Sequence, residues 1–305
     1  MPPIEKIGFI GLGTMGKPMC LRLVAAGYEV TGYDIAPGPL EQVVEAGVVA
    51  GANSAEVAGH ADLLLTSLNN PDQVATVMED SGALAALQPG SMWVDLSTSR
   101  RELIQRLSDE APEGVSVADA PLTGAVDGAR NGRLTIFIGG AEATVARATP
   151  VLEHLGQVIA CGPLGTGNVV KLVTNQLWFV AAAAIGEGFA LGVKNGVELG
   201  VLWEAITNSV GDSFVARHDA PSIFAGHYDP SFTLDLCIKD LDLITELSKG
   251  LGTDLPMTEA AQATFARATK RYGGTMGELH VVKRIEDDAE VSFRMPGDWT
   301  PPWEQ

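Results

Sequence analysis

Cysteine is scarce in this sequence, with three residues among 305 and no Cys-x-x-Cys pair. Cys20, Cys161 and Cys237 cannot crosslink a chain of this length, so a disulfide framework is excluded. The 35 glycines show no three-residue period, which excludes a collagen-like chain. We therefore expect isolated, reduced thiols in a cytoplasmic protein.

Cationic residues are also few: 20 Lys and Arg stand against 38 Asp and Glu, a formal net charge of −18. This charge repels nucleic-acid phosphates and anionic lipid surfaces, so neither nucleic acid nor membrane is an expected partner. The N-terminus lacks the basic flank, apolar core and cleavage site of a signal peptide, which favours a cytoplasmic location. The most apolar stretch, residues 177–193, contains Glu187 and predicts a buried helix instead of a membrane span.

The hydrophobic fraction, 46%, is sufficient for two domains. In the first half, short apolar runs alternate with segments of helical spacing, a pattern typical of parallel strands joined by βαβ crossovers. The runs are residues 6–10, 29–33, 63–67, 93–96, 115–119 and 134–138. Residues 1–163 are thus predicted to form a Rossmann-type, doubly wound α/β domain with a parallel sheet.

After Gly162 no further strand is predicted. Residues 164–290 are expected to form an all-helical substrate and dimerisation domain, led by a long interdomain helix over 168–194. This helix is apolar on nearly every face, so neighbouring helices or another subunit must surround it, which predicts a homodimer or homotetramer. Residues 291–305 form an acidic C-terminal tail. Such a tail is either loosely attached or, given Trp299 and Trp303, docked on a surface such as a subunit interface.

The loop after the first predicted strand has the spacing GxGxxG, at Gly11, Gly13 and Gly16. With 35 glycines this spacing arises by chance about half the time, so the context decides. A strand precedes it, a helix over 15–26 follows, and a second strand ends before Asp34. In a Rossmann domain the first of these glycines forms the tight turn, and the second lets the backbone approach the pyrophosphate. The third lets the helix pack closely on the strand. Predicted coenzyme-binding residues are Gly11, Leu12, Gly13, Thr14, Met15, Gly16 and Asp34.

The alternative for this segment is a glycine-rich packing turn with a surface aspartate. If the Rossmann interpretation holds, the Asp34 carboxylate accepts hydrogen bonds from the adenosine ribose. A 2′-phosphate would need a cation there, yet no Lys or Arg occurs between Arg22 and Arg100. The expected cofactor is NAD, and NADP is disfavoured.

Three further loops, residues 67–71, 95–98 and 119–125, follow predicted strands and are expected at the same edge of the sheet. Their hydroxyl, amide and backbone N–H groups suit a nicotinamide ribose and a small polar substrate. Any one of these loops taken alone is better explained as a turn or helix cap. The predicted residues are Leu68 and Asn69 for the coenzyme, and Ser97, Thr123, Gly124 and Ala125 for a substrate carboxylate.

The long predicted helix carries Lys171 and Asn175, four residues apart and therefore on one face. A lysine on an apolar helix either extends to solvent or lies in a dry site, where it can exchange a proton with a substrate hydroxyl. Gly167, one turn earlier, is expected to leave room for the nicotinamide. A second charged cluster, residues 239–242, is interpreted from the sequence alone as a surface ion-pair face.

Five segments, in this order along the chain, resemble the β-hydroxyacid dehydrogenases, which include 3-hydroxyisobutyrate dehydrogenase, tartronate semialdehyde reductase and their relatives. The segments are residues 11–19, 95–98, 119–124, 162–175 and 239–241, and the similarity runs from about residue 7 to 270. The resemblance implies that Lys171 is the general acid/base and that Asn175 orients the substrate or the lysine. It also implies that Thr98 and Lys239 contact the cofactor or close over it.

The expected activity is NAD-linked oxidation of a small, 3-hydroxyisobutyrate-like 3-hydroxy acid, without a metal. The alternatives are a reductase of a short semialdehyde (tartronate, succinic or sulfonated) and a non-catalytic NAD-binding sensor. The chain departs from the family where Thr123-Gly124-Ala125 replaces Ser-Gly-Gly, which narrows the carboxylate pocket. Arg22 replaces a common Asn and is expected to affect packing. Imine reductases resemble this architecture without the lysine, so Lys171 argues against that activity.

Overall fold

The computed structural model describes residues 3–299. The chain forms two compact units that divide between Lys171 and Leu172. The domain boundary predicted between residues 163 and 164 lies before the long helix, whereas the two compact units divide within that helix. We call the two units the coenzyme domain and the helical domain.

The described part of the coenzyme domain contains nine strands and eight complete α-helices. The strands are β1 (Lys6–Ile10), β2 (Glu29–Tyr33), β3 (Val49–Ala50), β4 (Leu63–Thr66), β5 (Met92–Asp95), β6 (Ser116–Asp119), β7 (Leu122–Thr123), β8 (Leu134–Gly140) and β9 (Gly156–Gly162). The helices are α1 (Gly16–Ala25), α2 (Pro37–Val44), α3 (Ser54–Gly59), α4 (Pro71–Ala75), α5 (Ala83–Ala86), α6 (Arg101–Glu110), α7 (Ala125–Asn131) and α8 (Glu142–Leu152).

The sheet has the order β3-β2-β1-β4-β5-β6-β8-β7, with β9 also paired to β8. Strands β1 to β6 pair in parallel. From β1 the chain moves outward to β3 and then returns to β4 on the other side of β1. Such a reversal opens a crevice at the carboxyl ends of the strands, where open α/β sheets bind ligands. The predicted Rossmann-type fold is confirmed.

Parallel pairing was expected throughout, and for β8 this is wrong: β8 runs antiparallel to both β6 and β7. Strand β7 continues in the direction of β6, and β8 returns between them. Strands β3, β7 and β9 were not predicted. The first two have only two residues each, and the side chains of β9 are at least partly exposed along its length, so it lacks a continuous apolar run.

The coenzyme domain has one apolar core on each face of its sheet. Along β4, Leu63 and Leu65 pack into one core and Leu64 into the other, because successive strand side chains point to opposite faces. Arg22 on α1 donates from Nε to the His154 carbonyl at 2.8 Å and from Nη1 to the Arg130 carbonyl at 3.1 Å. Its role in these contacts is packing, as expected.

The helical domain begins with the long helix α9 (Thr166–Lys194), whose first turns belong to the coenzyme domain by contacts. Five phenylalanines form a fully buried core: Phe179, Phe189, Phe224, Phe265 and Phe293. The other helices are α10 (Leu199–Thr207), α11 (Ala220–Ala225), α12 (Leu234–Ser248), α13 (Pro256–Tyr272) and α14 (His280–Asp288), with a π-helical turn at Val215–Asp219 before α11.

The segment after α14 packs on its own domain. Phe293 is fully buried against Phe189, and Trp299 packs edge-on against Trp203 and Phe224 at ring distances of 5.6 and 5.2 Å. Phe293 is therefore part of the helical core, and Val291, Met295 and Trp299 pack against it. The other tryptophan singled out in the sequence, Trp303, lies outside the described residues.

Helix α9 is long and apolar enough, by length and composition, to cross a membrane, and 39% of its most apolar 18-residue window is buried. Several of its exposed side chains are large and apolar and lie along one face, which also carries the exposed Glu187. Val173, Leu177 and Leu191 are 45%, 66% and 69% exposed. At about 100° per residue these positions fall within about 40° of one another around the helix axis.

Candidate active site

The carboxyl ends of the central strands are joined by backbone hydrogen bonds between the loops that follow them. The Leu96 N–H donates to the Thr66 carbonyl at 2.8 Å, and the Ala120 N–H donates to the Asp95 carbonyl at 2.7 Å. Three loops from separate parts of the sequence thus lie side by side. This edge holds the predicted coenzyme and substrate residues of the coenzyme domain.

The three glycines after β1 have three different environments. Gly11 has φ 92°, and a Cβ atom there would lie 2.2 Å from the Ser67 carbonyl oxygen. A Cβ on Gly16 would lie 1.8 Å from the Gly11 carbonyl oxygen, whereas one on Gly13 would meet nothing within 4 Å. The first and third glycines are therefore required by protein packing. The second faces open space, which fits a loop that a pyrophosphate approaches closely.

Asp34 binds this loop to the end of β2. Its Oδ2 accepts the Leu12 N–H at 2.7 Å and its Oδ1 accepts the Ala36 N–H at 2.8 Å. Each carboxylate oxygen can accept a further bond, so ribose recognition is compatible with these contacts. Leu12 is 1% exposed and belongs to the core, so only its backbone faces the loop.

The remaining predicted coenzyme residues lie on or beside this edge. Thr14 is exposed, and Met15 is half-buried at the start of α1. Asn69 is exposed and its N–H donates to the Gln73 side chain at 3.1 Å, while Thr98 is half-buried. None of these contacts prevents the groups from meeting a ligand, and their binding roles stay predictions.

Ser97 contacts other loops of the protein, and its role as a substrate ligand stays a prediction. Its side chain is buried, and its hydroxyl accepts the Leu68 N–H at 2.9 Å. The Ser97 N–H donates to Asp95 Oδ1 at 3.1 Å, and the Thr66 hydroxyl donates to the same oxygen at 2.8 Å. Ser97 thus joins the loops after β4 and β5.

Asp95 and Asp119 are neighbours in the register of β5 and β6, and both are fully buried. Burial raises the pKa of Asp95 to about 6, against the hydrogen bonds from Ser97 and Thr66, and the charge of Asp119 adds to the rise. Burial also raises the pKa of Asp119, although N–H donors from Gly165 and Asn168 oppose it. Nothing in the local sequence distinguishes these two aspartates from the other residues of their motifs.

The predicted carboxylate loop leads from β7 into α7. Gly124 has φ 120°, and its carbonyl accepts the Gly128 N–H at 3.0 Å. Ala125 has φ 55°, in the left-handed region that disfavours any residue with a Cβ by roughly 1–2 kcal/mol. The departure from Ser-Gly-Gly therefore adds backbone strain as well as a methyl group. Thr123, Gly124 and Ala125 are all partly exposed.

Lys171 is buried in α9, with 8% of its surface exposed. Gly167, one turn earlier, allows the helix to approach β8, because a Cβ there would lie 2.2 Å from the Phe137 carbonyl oxygen. The expectation that this glycine leaves room for a nicotinamide is wrong, since the protein backbone occupies that position.

Asn175 follows Lys171 by one turn and is 3% exposed. Its Nδ2 donates to Asp240 Oδ2 on α12 at 2.7 Å. The other oxygen, Asp240 Oδ1, lies 2.8 Å from Lys239 Nζ. Asp240 is 1% exposed, so interpreting this cluster as a surface face is wrong for Asp240 but correct for the exposed Asp242. A sequence signal existed, because Asp240 falls within the buried stripe formed by Cys237 and Ile244.

Two family models match the chain. One, described as the NAD binding domain of 6-phosphogluconate dehydrogenase, matches residues 6–163. The other, described as the NAD-binding domain of NADP-dependent 3-hydroxyisobutyrate dehydrogenase, matches residues 165–285. The chain belongs to the β-hydroxyacid dehydrogenase family. It is accordingly an oxidoreductase of CH–OH donors with NAD(P)-binding domains.

Relatives within this family act on several acids. The chain is 37% identical to 2-(hydroxymethyl)glutarate dehydrogenase of Eubacterium barkeri, over 94% of this chain and 97% of the relative. It is 32% identical to L-threonate dehydrogenase of Cupriavidus necator, over 96% and 97%. A solved 3-hydroxyisobutyrate dehydrogenase from Mycobacterium tuberculosis, studied with L-serine, superimposes with a TM-score of 0.85 at 30% identity, covering 92% of this chain and 99% of that chain.

Residues 3–299 contain no group of three or more His, Cys, Asp or Glu side chains placed to hold a metal ion.

Proposed function

We propose that this chain oxidises a small 3-hydroxy acid with NAD and that Lys171 is the general acid/base. The observation that carries the proposal is a buried amine on an apolar helix, one turn before a buried amide that Asp240 holds in place. Burying a lysine is unfavourable in a purely structural role, which argues against a non-catalytic NAD sensor. The proton-transfer role requires such a dry environment.

The glycine loop fits a dinucleotide because the space beside Gly13 is open and Asp34 retains acceptor capacity. When bound, NAD supplies the acceptor for the hydride. The neutral Lys171 amine takes the hydroxyl proton as the C–H bond breaks, and the carbinol becomes a carbonyl. In the reverse direction, reduction of a semialdehyde, the lysine ammonium returns the proton. Asn175 is held by Asp240 and orients the substrate or the lysine.

The substrate class follows from the relatives and the loop after β7. Dehydrogenases similar to this chain are named for L-serine, 3-hydroxyisobutyrate and 2-(hydroxymethyl)glutarate, and each of these acids carries a hydroxymethyl group on the carbon that bears a carboxylate. Thr123 and Gly124 are proposed to bind that carboxylate. The added methyls of Thr123 and Ala125 narrow the loop relative to Ser-Gly-Gly, which favours a compact acid.

NAD is proposed over NADP on the charge near the end of β2. The Asp34 carboxylate would repel a 2′-phosphate, and no Lys or Arg lies between residues 22 and 100 to attract one. Lys17 on α1 precedes that stretch, and its amine donates to the Gln42 side chain at 2.7 Å. We therefore expect a clear preference for the coenzyme without the extra phosphate.

The test is hydride transfer with a panel of 3-hydroxy acids and the corresponding semialdehydes, run with NAD and with NADP. Lys171→Ala is expected to lower kcat about 1000-fold while the Kd for NAD changes less than about threefold. The matched control is Lys194→Ala, an exposed lysine in the last turn of the same helix, expected to be unaffected. Near-normal turnover by the Lys171 variant contradicts the proposed role. NADP preference contradicts the role of Asp34, and NAD binding without turnover of any acid favours the sensor.

A second copy of the chain is proposed to cover the exposed apolar side chains of α9, giving a homodimer or homotetramer. Three large apolar side chains on one helix face, in a chain of net charge −18, are typical of an interface. Sedimentation should show the oligomer, and Leu177→Glu with Leu191→Glu should produce monomers. A sedimenting wild-type monomer, or recovery of the chain in membranes, contradicts this proposal.

A further inference from the structure

The first turn of α9 is held by side chains from outside the helix. Asp119, at the end of β6, accepts the Gly165 N–H at its Oδ1 (2.6 Å). Its Oδ2 accepts both the backbone N–H (2.7 Å) and the side-chain Nδ2 (3.1 Å) of Asn168. Asn168 in turn accepts the Ser99 N–H at its Oδ1, at 2.7 Å. Four hydrogen bonds thus connect the start of α9 to the ends of β5 and β6.

These bonds lie in a tightly packed, dry region. Asp119 is fully buried and Asn168 is 1% exposed. A Cβ atom on Gly139 would lie 2.5 Å from Asp119 Oδ1, and one on Gly167 would lie 2.9 Å from Asp119 Oδ2. With glycine on both sides, the carboxylate fills the space between β8 and α9, and the helix start has little freedom to shift.

The arrangement supplies what a helix N-terminus lacks. The first N–H groups of a helix have no partner within it, and they create a partial positive charge. A side chain just before the helix usually accepts them, but the residue there is Gly165, which has none, and the Thr166 hydroxyl donates to the Pro163 carbonyl. Asp119, distant in sequence, accepts the Gly165 and Asn168 N–H groups and places a carboxylate at the positive end.

The same aspartate is the first residue of the segment 119–125, which contains Thr123 and Gly124 and which we call the substrate loop. Lys171 follows Asn168 by three residues, so the two are neighbours on adjacent turns of α9. Proton transfer requires the acid/base and the substrate to be aligned to within a few tenths of an ångström, and a displacement of about 1 Å costs roughly 100-fold in rate. Asp119 thus connects the lysine helix directly to the substrate loop.

We propose that Asp119 and Asn168 are a positioning pair that fixes the Lys171 amine relative to the substrate loop. The inference rests on the proposed function, because it assigns these two residues to the alignment of the acid/base. If the pair positions Lys171, breaking the bond between the two side chains lowers kcat and leaves coenzyme binding unchanged. The Gly11–Gly16 loop and Asp34 share none of the four hydrogen bonds.

The test exchanges the two side chains in the full-length protein. Asn168→Asp places a carboxylate against a carboxylate, and Asp119→Asn places an amide NH₂ against N–H donors. Each single variant is expected to lower kcat about 100-fold, with the KM for NAD changed less than about threefold. The double exchange restores one N–H···O bond between the side chains, so we expect it to recover at least about tenfold of the kcat lost in Asn168→Asp.

A milder variant keeps the test decisive if the charge changes prevent folding. Asn168→Ala removes the amide without adding charge and should lower kcat about tenfold at unchanged NAD affinity, in protein whose circular dichroism is unaltered. The control is Asn195→Ala, an exposed asparagine just beyond the other end of α9, expected within about twofold of the parent.

The outcomes separate this inference from the proposed function. Wild-type kcat in Asn168→Ala, or a double exchange no better than the worse single variant, overturns the positioning pair while Lys171→Ala stays inactive. Equal losses in kcat and NAD affinity also overturn it, because they would indicate a general loss of structure. An active Lys171→Ala enzyme overturns the proposed function itself.

Discussion

The loops after β1, β4 and β5 in the coenzyme domain and the polar groups between α9 and α12 in the helical domain are held by different means. In the coenzyme domain, glycine conformation and backbone N–H groups shape the loops after β1, β4 and β5. In the helical domain, a side-chain contact between α9 and α12 joins Asn175 to Asp240, 65 residues apart. A site built from backbone groups is recognisable in the sequence from neighbouring residues. A site built from side chains of two helices depends on which helices pack together.

The largest expected effect is the difference in stability between alanine variants of two glycines in the same loop. Gly16→Ala should lower the free energy of unfolding by more than about 3 kcal/mol, because its Cβ would lie 1.8 Å from the Gly11 carbonyl oxygen. Gly13→Ala meets no protein atom, so its melting temperature without coenzyme should stay within about 2 °C, while NAD affinity falls about 100-fold. Calorimetry and NAD titration check both. Unchanged NAD affinity in Gly13→Ala would show that this backbone does not approach the coenzyme.

Asp240→Asn tests the side-chain site of the helical domain. It weakens the ion pair with Lys239 and the hold on the Asn175 amide, so kcat should fall by roughly 30-fold. NAD affinity should fall less than kcat does, because the Gly11–Gly16 loop and Asp34 keep their contacts, and any loss would come through Lys239. Asp242→Asn on the same helix is exposed and serves as the control. Equal activity of the two variants in steady-state assays would refute a special role for Asp240.

Asp95 predicts a pH dependence of stability. Its pKa is raised by burial to about 6 in the folded chain, so its stabilising contribution is full below about pH 4 and is lost as the pH rises through 6. Asp95→Asn keeps an acceptor for Thr66 and Ser97 and removes the buried charge. We expect the variant to be more stable at pH 8 by up to about 3 kcal/mol, with a smaller gain at pH 5. Urea unfolding at both pH values measures this, and a gain that is larger at pH 5 would reverse the assigned sign.

The smallest effect concerns backbone strain in the carboxylate loop. Ala125→Gly should stabilise the chain by about 1 kcal/mol, because glycine adopts a φ of 55° without the Cβ penalty. Ala129→Gly, in the same short helix but fully buried, should destabilise it by a similar amount. Thermal unfolding distinguishes the signs. A destabilised Ala125→Gly protein would mean that the methyl contributes packing greater than the strain.

Much of the coenzyme domain could be predicted from local pattern. Strands β1 and β2 begin and end at the predicted residues, and the glycine spacing with Asp34 indicates the turn that the structure contains. Strand β9 was missed because it is an exposed strand without an apolar run, and the reversed direction of β8 depends on a two-residue strand, β7. The family resemblance singled out Lys171 and Asn175, yet the roles of Asp119 and Asp240 came from long-range contacts.

The amino-acid order fixed what neighbouring residues can enforce: the strand and helix segments, the glycine turn, the acidic charge and the placing of Lys171 and Asn175 on one helix face. These follow from backbone sterics and helical period, which act over a few residues. The partners of the buried carboxylates followed from the fold alone. Asp119 reaches Asn168 across 49 positions and Asp240 reaches Asn175 across 65, and only the packing of strand on helix and helix on helix brings such groups within hydrogen-bonding distance.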